Sequence, residues 1–301
     1  MAWSGGVDST VLLHLLWRAR RLPGSRLTLR ALHVDHGLQP AAADFRRFCL
    51  RTARQWQLPL RVLKAQVRSG KGDSVEQAAR EARRAVLGAA LAPGELLLTA
   101  QHADDQLETL LLAVLRGAGP AGLAGMPTAM PLAGSHLLRP LLDRERAELL
   151  AYAHAARLSW IDDPTNDEPR FDRNYLRARV LPVLRRRWPA LSRTAGRSAR
   201  HCAAAALALQ CAAARDLELA ADGADLEVAV LRRWSAARRA GALRAWIQSA
   251  GGRAPNERHL REIEAMLVAR ADAHPELRLP DLTLRRQGGR LRIEPGAARH
   301  R

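Results

Sequence analysis

Ser4-Gly5-Gly6-Val7-Asp8-Ser9, read SGGVDS, opens the chain almost at once and runs straight into the apolar stretch TVLLHLL (10–16). Two glycines between a serine and an aspartate are ordinary turn chemistry. The same residues also suit an anion cradle. Gly5 and Gly6 permit backbone conformations that turn successive N–H groups toward one point, Ser4 and Ser9 add hydroxyl donors, and a helix after Ser9 supplies the positive end of its dipole. A Walker A loop would end in Gly-Lys followed by Ser or Thr; no lysine stands here, so this is a different phosphate device. Asp8 inside such a nest is unfavourable unless it meets a cation, and it reads as a metal-facing or helix-capping carboxylate.

Working outward, residues 1 to about 116 alternate short β-rich runs with helical periods. The spacing predicts helices over 10–20, 41–57, 74–91 and 104–116 and strands over 27–34, 60–67 and 95–100. Ser74 and Gln77 have capping-box spacing. Repeated βα units predict a doubly wound parallel sheet covered on both faces. A glycine-rich bend, GAGPAGLAGM (117–126), breaks the rhythm. After it come a short extended piece and an amphipathic helix within 137–160, a polar loop over 161–174 and a helix over 177–188. Beyond Pro189 the texture turns to Ala-rich helices (190–221, 234–250, 256–270) and small strands near 282–286 and 290–294. The reading is therefore an α/β domain over 1–189 and a smaller, mainly helical domain over 190–301. The strand before the loop, Met1 to Trp3, is shorter than the usual five or six residues or so, and a truncated start or a misassigned start codon is expected.

Two further loops follow strands, where ligands of doubly wound sheets sit: HVDHG (33–37) and QHADDQLET (101–109). In the second, Asp104, Asp105 and Glu108 share neighbouring positions on one helical turn beside His102. Acids favour a helix N-terminus, which accounts for one or two of them; three plus a histidine point to a bound cation or amine. His33, Asp35 and His36 read equally well as turn residues or satisfied polar groups.

The 301 residues hold 48 Lys+Arg against 30 Asp+Glu, a formal net charge of +18. Such a field attracts polyanions by counterion release. Between 170 and 200 the only acid is Asp172 among ten arginines, a stripe able to follow a nucleic-acid backbone or simply a solvated face. Cys49, Cys202 and Cys211 contain no CxxC, which argues against a disulfide framework or metal knuckle and for a reducing, cytoplasmic setting. No apolar run approaches the roughly 20 residues of a membrane span.

Taken in order, SGGVDS, HVDHG, VEQAAREARR (75–84), HADDQLET with LRGAGPAGLAGM (115–126), and WIDDPTNDEPRFDRNYLR (160–177) resemble the tRNA(Ile)-lysidine synthetase family of the PP-loop ATP-pyrophosphatase superfamily, an adenine nucleotide alpha hydrolase-like fold. The resemblance covers about residues 1–190. It implies that ATP adenylates carbon 2 of the wobble cytidine in a CAU-anticodon isoleucine tRNA, and that the amine of free L-lysine then displaces AMP. Under it, Ser4, Gly5, Gly6, Val7, Asp8 and Ser9 bind ATP with Mg²⁺ at Asp8, and Asp105 and Glu108 bind lysine. Asp8, His33, His102, Asp104, Asp105 and Glu108 form the catalytic set, and Arg80, Arg173, Asn174 and Arg177 contact tRNA. The resemblance also implies that longer relatives carry a further C-terminal tRNA-binding domain, which a chain stopping at residue 301 is expected to lack; a homodimer is compatible with the reading. Other PP-loop enzymes fit less well: a thiolase needs a catalytic cysteine pair, and an amidotransferase-type synthetase needs a glutaminase domain. A dead basic RNA-binding module would have no use for the intact loop and acidic cluster.

Overall fold

The computed structural model describes residues 1–35, 42–65, 75–162, 171–270 and 273–295. His36, Ser74 with the side chain of its capping partner Gln77, and the 163–170 part of the polar loop lie outside the described residues. The chain divides into two compact units, Met1–Ala203 and Ala204–Arg301.

The first unit is built on a sheet whose centre is the short N-terminal segment. Trp3 N–H donates to the Leu32 carbonyl (2.8 Å) and Ala2 N–H to the Leu98 carbonyl (2.9 Å). Residues 1–3 therefore sit between β1 (Ala31–Asp35) and β3 (Leu97–Leu98). On one side β2 (Leu60–Lys64) pairs parallel with β1. On the other, β5 (Ser135–Leu138) pairs parallel with β3, and β4 (Ala129–Leu132) closes the edge antiparallel to β5. Successive residues point to opposite faces of a strand, and the packing follows that alternation. Trp3, Ala31 and Leu98 join a core with α1 (Val7–Ala19), α2 (Ala42–Gln55) and α6 (Arg146–Ala155); Ala2, Leu32 and Leu97 join another with α3 (Val75–Ala89). This is the doubly wound arrangement expected from the sequence, with α4 (Ala103–Leu115) and α5 (Pro120–Leu123) following β3.

Three local differences have physical causes. The strand expected over 27–34 pairs only at 31–35, and Leu27 is exposed. The β4–β5 hairpin turns on Ala133 and Gly134, both at positive φ (48° and 74°). That geometry suits a primed turn, but alanine in place of the usual Asn or Asp hides the signal. The helix expected over 177–188 starts early, with α7 (Asp172–Tyr175) at the end of the expected loop, and is broken by a π turn (Leu176–Val180) before α8 (Leu181–Arg187). Pro182 has no N–H to continue the ladder and its ring crowds the preceding turn.

In the second unit, the C-terminal part of α9 (Leu191–Ala220) is followed by β6 (Ala221–Asp222), β7 (Asp225–Glu227), α10 (Val228–Arg232), α11 (Ala236–Ser249) and α12 (Glu257–Val268). The strands β8 (Glu276–Arg278), β9 (Leu282–Gln287) and β10 (Arg290–Pro295) then complete a sheet of order β6-β7-β10-β9-β8. Leu243, Ile247, Ile263 and Leu267 pack on Leu284 and Leu291 of that sheet. Ser235 and Asn256 cap α11 and α12 through their side chains, as the preference for these residues predicts. Among the described residues no helix is long and apolar enough to cross a membrane.

Candidate functional site

The phosphate loop is tied by its own serines. Ser4 N–H reaches Ser9 Oγ (3.3 Å), the two hydroxyls meet at 3.0 Å, Ser9 Oγ donates to the Gly6 carbonyl (3.0 Å), and Gly6 N–H reaches Ser4 Oγ (3.3 Å). Gly5 stands at φ +93°, and a Cβ there would meet Cys49 Sγ at 3.3 Å, so conformation and space both require glycine. The ladder of α1 begins with Thr10 N–H on the Gly6 carbonyl. The amides of Val7, Asp8 and Ser9 are left outside it as donors at the positive helix end. Trp3 anchors the loop from beneath through Nε1 to Thr10 Oγ1 (3.1 Å).

His102 joins this loop to the acidic cluster. It is buried and lies before α4, its Nε2 3.6 Å from Asp8 Oδ2 and 3.5 Å from Asp105 Oδ2. Its backbone N–H donates to Asp105 Oδ2 (3.1 Å). Burial lowers the imidazole pKa, but Asp8, Asp105 and Asp104 outweigh it and the net shift is upward.

Each acid in the cluster has a different partner. Glu108 is buried and accepts a two-pronged fork from Arg177, Nε to Oε1 at 2.5 Å and Nη2 to Oε2 at 2.9 Å; Arg177 Nη2 also reaches Asp105 Oδ1 at 2.8 Å. Burial raises the Glu108 carboxyl, with Arg177 opposing the rise. Asp104 is consumed structurally: it accepts from Arg146 N–H (2.6 Å), Ser192 Oγ (2.6 Å) and Arg185, pinning α4 to the starts of α6 and α9 and to α8. Burial alone would raise its carboxyl, yet these donors hold it below its ordinary value.

The other sequence candidates lie around this centre. His33 is buried under the loop with Nδ1 3.0 Å from the Trp3 carbonyl and 3.6 Å from Cys49 Sγ. A carbonyl only accepts, so Nδ1 carries the proton, and burial lowers the ring's pKa. Arg173 donates to Thr109 Oγ1 (2.9 Å), and Asn174 is buried. Residues expected on a solvent-facing stripe thus lie against α4, with Arg177 as the counter-ion of the acids. Arg80 on α3 is exposed, its Nη2 4.0 Å from the Met126 sulfur. Met126 is held to α4 by Gln106 through Oε1 (2.7 Å) and Nε2 (3.0 Å). Gln106, Arg146, Arg185 and Ser192 were invisible in the sequence; Arg185 was one arginine in a run of ten.

For a cation, Asp8 is the informative group. Its Oδ1 is buried without a hydrogen bond, with Arg146 Nε at 3.8 Å. No group of three ligating side chains that could hold a metal exists among the described residues. That donor set fits Mg²⁺, which is commonly bound by one or two carboxylates together with substrate phosphates. The three cysteines are free, and Cys49 is buried with its thiol pushed up to about 12 by that burial.

Comparison with known proteins bears on the family and the fold. Residues 1–184 match the PP-loop domain family and residues 226–292 the TilS substrate binding domain. A tRNA(Ile)-lysidine synthase of Methylococcus capsulatus is 45% identical over 303 residues, 99% of this chain and 68% of that protein. Its counterpart in Pseudomonas aeruginosa is 46% identical over 305 residues, 97% of this chain and 67% of the relative. Among solved structures, the U34-tRNA thiolase NcsA from Methanococcus maripaludis superposes with a TM-score of 0.57 at 15% identity, covering 67% of this chain and 70% of that one. At that identity the likeness is one of fold.

Proposed function

Because the chain belongs to the tRNA(Ile)-lysidine synthase family, we propose that it uses ATP to join free lysine to carbon 2 of the wobble cytidine of a CAU-anticodon isoleucine tRNA. The route is an adenylated tRNA, with pyrophosphate released first and AMP second. The observation that carries the reading is the unbroken run of contacts from Asp8 of the phosphate loop through His102 to Asp105, and from there through Arg177 to Glu108. In this reading it brings a phosphate cradle and a cation-binding carboxylate pair side by side.

In this reading the amides of Val7, Asp8 and Ser9 and the hydroxyls of Ser4 and Ser9 hold the departing pyrophosphate, where charge develops and preorganised donors count most. Asp8 would hold Mg²⁺, which supplies positive charge to the phosphates when bound. Asp105 and Glu108 would take the ε-ammonium of lysine in place of the Arg177 guanidinium, which lies between them here and would have to move aside. An amine attacks only after losing its proton, and a carboxylate of this pair would accept it. His102 keeps loop and acids in register, His33 supports the loop from below, and Asp104 positions α4. Arg80 is assigned to tRNA contact, with Arg173 and Asn174 shaping the α4 wall. The cytoplasm, where tRNA, ATP and lysine meet, is the setting.

The test is incubation with ATP, labelled lysine and CAU-anticodon isoleucine tRNA, followed by recovery of the RNA. Label in the RNA is the expected result, and its absence overturns the reading. Asp105→Ala is expected to stop label transfer while leaving pyrophosphate release, and Asp8→Ala to stop both; the opposite pattern would reassign the sites.

A further inference from the structure

Next to the phosphate loop lies a cavity of about 410 Å³, lined among others by Arg47, Phe48 and Arg51 of α2 and by Trp160 and Ile161. This is within the roughly 300–1,000 Å³ of small-ligand sites. We propose that it seats an RNA nucleotide that flanks the one being modified, its base against Trp160 and its phosphate on Arg51 and Arg47. The proposal rests on the functional reading above and extends it to a subsite no part of that reading uses.

Both walls of the cavity touch the loop. Ile161 N–H donates to the Gly5 carbonyl at 3.0 Å, and a Cβ on Gly5 would lie 3.4 Å from the Phe48 ring. The peptide plane fixes what lies on each side. In a trans peptide the carbonyl and the following N–H point in opposite directions, so with the Gly5 carbonyl aimed at Ile161, the Gly6 N–H faces away from it. The cavity is therefore on the acceptor side of this peptide, whose Gly6 N–H is turned to Ser4 Oγ (3.3 Å); the donors assigned to phosphate are the amides that follow, of Val7, Asp8 and Ser9. A ligand here is a neighbour of the reacting group.

The lining chemistry defines that neighbour. Arg51 lies over the Phe48 ring, 6.0 Å from its centroid, and forms no ion pair with any carboxylate among the described residues; Arg47 shares its charge with Asp44 on the same helix. A guanidinium without a carboxylate, beside aromatic surface, suits a phosphate attached to a base. Trp160 is held in place from two sides, by its Nε1 donating to Asp162 Oδ1 (3.2 Å) and by the edge-on His154 ring at 5.3 Å. An indole fixed before binding loses little freedom when a base stacks on it. Apolar ligands would leave the arginines unpaired, and a free anion would leave the indole unused.

The experiment measures steady-state lysine transfer by the full chain at varied tRNA and at varied ATP for wild type, Trp160→Leu, Trp160→Phe and Arg51→Ala. Trp160→Leu is expected to raise the KM for tRNA about 10-fold, the loss of one base stack, with the KM for ATP within about twofold and Trp160→Phe recovering most of the loss. Arg51→Ala, on an exposed helix face that tolerates the change, is expected to raise the tRNA KM and lower the slope of log affinity against log salt by about 1. A tRNA KM unmoved in both variants overturns the proposal. A rise in the ATP KM instead also overturns it and gives the cavity to the nucleoside of ATP. Absence of lysine transfer by the wild-type chain overturns the functional reading and this proposal with it, whereas transfer with an unmoved tRNA KM overturns the proposal alone.

Discussion

The side-chain ties of the loop span two to seven residues of chain, with one distant bond from Ile161 N–H to the Gly5 carbonyl, whereas the acids beside it are neutralised by arginines 69, 72 and 81 residues distant. Both regions share one site, with His102 between them. The loop is a local structure: Gly5, two serines and the start of α1 set it, and closing so short a segment costs little entropy. The acid cluster exists only after α6, α7, α8 and the start of α9 have come together on α4. Until then Glu108 and Asp104 lack the partners that make their burial tolerable. Local geometry thus sets the loop, and the completed fold sets the acid cluster.

The comparison breaks most readily at Arg177. Replacing it with alanine leaves Glu108 buried with its carboxylate uncompensated, a loss of about 3–5 kcal/mol from the first unit, read as a lowered denaturant midpoint of the transition that includes that unit. Adding Glu108→Gln to Arg177→Ala is expected to return part of the loss, so the double variant falls short of the sum of the singles. Strict additivity would mean that the fork is not the cluster's main support. Next in size is Gly5→Ala. The φ of +93° and the Cys49 contact force the loop out of shape, and pyrophosphate release is expected to fall roughly 100-fold, the scale of losing a preorganised donor. The fold's thermal transition should move by much less than in Arg177→Ala.

That division also explains what the sequence disclosed. The turn of SGGVDS could be read because its shape resides in residues adjacent in the chain, and the βα alternation could be read because each apolar run reports its own burial. Asp105 and Glu108 could be recognised as seeking a cation. Which cation was not legible: nothing in the spacing separates Arg177 from the other arginines of 170–200, and the π turn before Pro182, which decides where that side chain is presented, leaves no pattern. Asp104 looked like a catalytic acid because it stands beside Asp105; only the arrival of Ser192, 88 residues away, makes it a structural pin. The Ala133-Gly134 turn was missed for another reason, alanine at a positive φ that its side chain disfavours.

A smaller effect separates the pin from the chemistry. Ser192→Ala removes one donor from buried Asp104 while Arg185 and the Arg146 amide remain, so a loss of about 1–2 kcal/mol is expected with lysine and ATP KM values unchanged. A shifted lysine KM would draw Asp104 into the binding site itself.

The smallest effect tests whether distance in the chain or burial gives the long-range pairs their weight. Arg30 and Glu95 are 65 residues apart, nearly as far as Arg177 and Glu108, and make the same kind of fork. About a third of each side chain is exposed (28% and 33%). The hydrogen bond from Arg30, aided by the Ala92 amide, lowers the Glu95 carboxyl to about 2 from 4.5. A carboxyl depressed on folding contributes stability above its unfolded pKa and loses it as pH falls through its folded one. The contribution is therefore full above about pH 4.5 and gone near pH 2. Solvent screening keeps it under about 1 kcal/mol. Glu95→Gln is expected to flatten the fall in stability between those limits, costing at most about 1 kcal/mol at neutral pH and nothing near pH 2, measured as denaturant midpoints at a series of pH values. If the loss at pH 7 instead matched that of Arg177→Ala, sequence separation alone would set the strength of these forks, and the contrast between loop and cluster would owe nothing to burial.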